Sequence, residues 1–70
     1  MIELNKKIDV GTTLEIEYGN EIEKVLIISD FSGGYEWKYM ILDLSTYEIL
    51  QNFKSIEQLK EQLNIIKVVN

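Results

Sequence analysis

Among its 70 residues the chain has no cysteine, no histidine, no proline and no arginine. Each absence removes a class of behaviour. Without cysteine there is no disulfide. Without either cysteine or histidine, a structural zinc site would have to be built from carboxylates alone, which is not how such sites are normally held. The Ser-His and Cys-His nucleophile pairs and imidazole acid–base catalysis go with them. Only carboxylate, lysine or tyrosine chemistry remains, so the expectation is a protein that is not an enzyme, has no catalytic residues, and uses neither metal nor cofactor. Every turn must come from Gly, Asn, Ser or Asp, because no proline is available to preset one. No apolar run approaches the length of a membrane span, and the opening Met1-Ile2-Glu3-Leu4-Asn5-Lys6-Lys7 lacks the apolar stretch of a signal peptide. A cytoplasmic location without membrane association is expected, and the missing cysteines suit a reducing compartment.

Charge is equally lopsided. The net charge is −5, and all seven cationic side chains are lysines. Binders of nucleic acid normally present a basic face and favour arginine for bidentate contacts. Nucleic acid is therefore a disfavoured partner. The acidity concentrates early: residues 1–35 carry seven carboxylates against three lysines, a local balance of −4. Such a run either keeps a sheet face solvated or offers an acidic surface to a basic partner.

What is present reads as a small β-rich domain. Hydrophobic residues make up 46% and charged residues 27%, an ordinary globular composition. Seventy residues suffice for one domain, 1–70, with a small core, and chains of this size often gain stability from self-association when disulfides and metals are missing. Residues 13–18 alternate strictly, with Leu14, Ile16 and Tyr18 on one face, and Gly19-Asn20 can reverse the chain after them. A second strand is expected over 22–30, apolar on both faces at Val25-Leu26-Ile27-Ile28. Ser32-Gly33-Gly34 then forms a reversal. The third strand, over 35–44, pairs in a hairpin with a fourth over 47–53. From Ser55 the period changes: Ser55-Ile56-Glu57-Gln58 is a capping-box pattern, and Ile56, Leu59 and Leu63 follow at helical spacing. The helix, about 55–64, is expected to end on a left-handed Asn64. A last strand over 65–69 carries Lys67, which would blunt a free edge, and Ile2 and Leu4 are candidates for a further short edge strand.

The fold class is thus β-rich α+β. The element order favours a five-stranded SH3-like small barrel, with a strongly bent open antiparallel sheet as its rival, each with one short helix before the last strand. The composition, rich in Ile, Asn, Lys and Glu, resembles that of short accessory reading frames in AT-rich bacterial or phage genomes. That resemblance implies a small accessory protein of a phage or mobile element acting on an intracellular bacterial target.

Two groups of residues are candidate partner-binding sites. Tyr35, Trp37 and Tyr39 share one face of the third strand, interleaved with Glu36 and Lys38. If the core lies on the Met40 face, this stripe points outward, and exposed aromatics of this kind commonly serve interfaces; if it does not, the aromatics are themselves core. Glu15, Glu17, Glu21 and Glu23 cluster around the first hairpin and would steer a basic partner. The leading expectation is a non-enzymatic protein-binding module or inhibitor that uses Tyr35, Trp37, Lys38 and Tyr39 with the four glutamates. One alternative is an oligomer that sequesters a small molecule or nucleotide at an aromatic-lined site. Another is a structural subunit of a larger assembly. Self-association accords with either.

Overall fold

The computed structural model describes residues 7–29 and 38–69. Five strands form one antiparallel sheet: β1 Thr13–Tyr18, β2 Glu21–Ser29, β3 Tyr39–Asp43, β4 Ile49–Phe53 and β5 Asn64–Val68, with helix α1 Ile56–Gln62 between the last two. The order across the sheet is β4-β3-β2-β1-β5. It does not close, and β4 and β5 are its two edges. Closure into a barrel is therefore not observed, although the sheet curls. Two strands intervene between β1 and β4, which would lie about 14 Å apart in a flat sheet. Yet the Tyr18 hydroxyl, on β1, donates to the Leu50 carbonyl of β4 at 3.2 Å.

Local sequence explains most element boundaries. Gly19 and Asn20 both sit at positive φ, 58° and 72°, the tight hairpin geometry that matches strand twist. Ser55 caps α1 by accepting from the Gln58 N–H at 3.0 Å, and the Gln58 Oε1 reaches back to accept from the Lys54 N–H at 2.7 Å. Two expectations need correction. The fourth strand starts at Ile49 rather than at position 47, because Tyr47 has φ 61° and lies in the β3–β4 turn. The helix does not end on a left-handed Asn64. Its C-cap is Leu63 in extended conformation, and the chain runs straight into β5 at Asn64. The third strand is described from Tyr39 only; its expected residues 35–37, the 32–34 reversal and the possible edge strand at Ile2 and Leu4 lie outside the described residues.

The helix covers one face of the sheet. Leu14 and Ile16 from β1, Val25 and Ile27 from β2, Ile41 from β3, Phe53 from β4, Val68 from β5, and Leu59 and Leu63 from α1 form the buried core. Ile56 and Ile65 pack against it, as does Ile8 from the segment leading into β1. That segment is stitched to β2 by the Gly11 N–H donating to the Ile27 carbonyl at 2.8 Å. Buried Thr12 accepts through Oγ1 from the Asp9 N–H at 3.1 Å. No helix among the described residues is long and apolar enough to cross a membrane.

Candidate functional site

Strand register decides which way each candidate side chain faces. On β3 the core takes Ile41, fully buried, and Asp43, 3% exposed. Tyr39 shares that face and packs against the core cluster. The opposite face carries Met40 and Leu42, half-buried and apart from the core. The condition under which the aromatic stripe would point outward is thus not met at Tyr39. Lys38 is exposed at the start of β3, while Tyr35 and Trp37 lie outside the described residues.

The glutamates of the first hairpin divide between the two faces. Glu15 and Glu17 stand on the outer face of β1. Glu15 is opposite Lys24 on one side and Lys67 on the other, and Glu17 accepts a 2.8 Å hydrogen bond from the Asn64 Nδ2. Glu21 and Glu23 alternate onto the core side of β2, beyond the end of the apolar cluster. Loss of hydration pushes the Glu23 carboxyl above its ordinary range, and repulsion from Asp43 and then from Glu21 adds to the rise. Of the expected site, the described Tyr39 and Glu21 lie far apart. Tyr39 pairs with Ser29 at one end of the β2–β3 ladder, and Glu21 begins β2 at the other. Eight residue steps of strand, about 26 Å, separate Glu21 from Ser29.

At the acidic end a different arrangement appears. The β1–β2 turn and the β3–β4 turn lie at the same end of the sheet, and the Leu44 N–H, entering the second turn, donates to the Lys24 carbonyl of β2 at 3.0 Å. Asp43 organises the second turn. Its N–H donates to the Glu48 carbonyl at 2.8 Å and its own carbonyl accepts from the Tyr47 N–H at 2.7 Å. Its Oδ1 accepts from the Ser45 N–H at 2.7 Å. These bonds hold Tyr47 in the left-handed region, which costs a side chain with a Cβ about 1–2 kcal/mol. They also leave its ring 77% exposed. Ile22, 57% exposed, lies near the start of β2, paired with Glu17. Glu17 and Glu21, beside Ile22 across and along the strand, and Glu48, next to Tyr47 in the chain, are exposed as well.

Sequence reasoning reached the glutamates and missed Tyr47, because period-two alternation with Ile49, Gln51 and Phe53 assigned it to a strand. A signal was available in Ser45-Thr46-Tyr47-Glu48 after Asp43, since an Asp at the head of a turn bonds the backbone two residues on. Among the described residues no three carboxylates are grouped to hold a metal ion. The chain matches no family model, no curated protein and no solved structure.

Proposed function

We propose that the chain is a small non-enzymatic protein-binding module whose working surface is the paired-turn end of the sheet. Tyr47 and Ile22 are the apolar anchors, and Glu17, Glu21 and Glu48 form an acidic surround for a basic partner. The observation that carries this reading is Tyr47, an aromatic ring held in a strained backbone conformation and displayed to solvent. Exposed aromatics with a polar tip recur as interface hot spots, and backbone strain is retained where the surrounding bonds over-determine it, often at functional positions. The acidic surround would accelerate encounter with a cationic partner and make capture sensitive to salt. An inhibitor or accessory protein acting on an intracellular target belongs to this class.

The test is capture of partners by the immobilised wild-type chain, run beside Tyr47→Ser and the double variant Glu17→Lys/Glu21→Lys. A basic protein retained by wild type, lost with Tyr47→Ser, and released by moderate salt would support the reading. Equal recovery by all three chains would sink it.

A further inference from the structure

A second surface, which shares Glu17 with the Tyr47 end, lies on the face of the sheet that α1 does not cover. Register aligns a row, apolar but for Thr13, across β1 to β4 and the residue just past β5. Thr13 pairs with Leu26, Leu26 with Leu42, and Leu42 with Ile49. Val69 completes the row, its N–H donating to the Thr13 carbonyl at 2.8 Å. Ile28 and Met40, paired with each other, widen it by one step. None of these side chains joins the core cluster, and Ile49 and Val69 are 45% and 39% exposed. The adjoining row alternates in sign across three strands: Lys67, Glu15, Lys24.

We propose that this face is an interface between two copies of the chain. Charge selects the occupant. The whole chain carries −5, so two copies meeting elsewhere would repel. On this face Lys24 and Lys67 balance Glu15 and Glu17, and the apolar row beside them gives the contact its area. The Glu15–Lys24 pair is also self-complementary, as a two-fold interface requires, since each residue i that meets j must be met by j in return. A two-fold axis running along the strands between β1 and β2 sets Glu15 of each copy over Lys24 of its mate. The same operation lays Thr13 over Leu26, with the sheets stacked about 10 Å apart.

Sedimentation equilibrium or light scattering over a concentration series tests the proposal with three chains: wild type, E15K and K24E. Wild type is expected at twice the chain mass. Each single variant sets like charges against each other across the axis and should fall to the monomer mass. Circular dichroism shows whether each variant remains folded, since both disturb the same cross-strand pair within one chain. Mixed in equal amounts, the two variants should recover the doubled mass, because the E15K chain is then wholly basic at this pair and the K24E chain wholly acidic. A wild type that stays monomeric to its highest soluble concentration overturns the proposal, whether residues 1–6, residues 30–37 or another protein prove to contact Leu26 and Leu42. So does a single variant that keeps the doubled mass, or a mixture of the two that stays monomeric.

Discussion

The two faces of the sheet are built from strands of similar apolar content, yet they are used differently. On the face under α1, Leu14, Ile16, Val25, Ile27, Ile41 and Phe53 are each fully buried. On the other, Leu26, Ile28, Met40 and Leu42 are only half-buried, and no element among the described residues packs over them as α1 packs over the core. Burial is therefore decided by which face receives the helix rather than by residue type. The helix falls where it does because Ser55 starts it just after Phe53, and Leu59 and Leu63 then point back at the same face as Phe53.

This difference is broken most severely from the core side. Phe53→Ala should cost about 3–5 kcal/mol, a large part of what a domain of this size can hold. Loss of the cooperative melting transition near room temperature is the expected result. Leu42→Ala, on β3 beside it but facing outward, should cost about 1 kcal/mol or less in dilute solution, because little of its surface leaves water in a single copy. Comparable losses at the two positions, measured by urea unfolding, would mean that the outer face is covered within one chain.

The next effect sharpens the comparison at the helix. Ser55→Ala removes the side-chain acceptor for the Gln58 N–H and should cost about 1 kcal/mol. Since α1 is what distinguishes the faces, protection from hydrogen exchange should fall first at Leu59 and Leu63 and leave the β1–β2 pairing intact. Uniform loss along the chain would show instead that helix and sheet unfold as one unit.

A smaller change of opposite sign is expected at the paired turns. Tyr47→Gly relieves about 1–2 kcal/mol of left-handed strain and gives back about 0.5–1 through the greater freedom of the unfolded chain. The net is a gain of about 0.5–1 kcal/mol, read as a higher midpoint in urea. Stabilisation together with loss of partner capture would mark Tyr47 as a residue kept for binding; destabilisation would mean the ring supports the turn.

These contrasts also show what the sequence could convey. Alternation gave β1 its full extent, and the capping pattern located α1 to within a residue or two, since both signals are local. Which face of β3 would be core was not local. Tyr39, Met40, Ile41 and Leu42 are apolar on both sides, so the choice was made by α1 and by pairing with β2. The closing of the sheet was equally illegible, because it depends on how far the sheet curls. Glu15, Glu17, Glu21 and Glu23 were visible as an acidic group. Their division between two faces followed only from the register across the Gly19-Asn20 turn. Tyr47 was hidden by a periodicity that its own positive φ interrupts.

The least effect is expected at Glu23, where the sign is informative. Its folded-state carboxyl is raised above the ordinary 4.5 by lost hydration, by Asp43 and by Glu21. A raised carboxyl binds its proton more tightly in the folded chain than in the unfolded one, so the charged form weakens the fold at neutral pH. That penalty should lift as pH falls through the raised value and be gone below 4.5, where both states are protonated. Glu23→Gln should then melt slightly higher than wild type at neutral pH, and the gap should close in acid. Glu17→Gln, exposed on the outer face and hydrogen-bonded to Asn64, removes the same unit of charge and serves as the comparison. If both variants gave the same pH-dependent rise, the effect would reflect the net charge of −5 rather than the crowding of Glu23 against Asp43 at the paired turns.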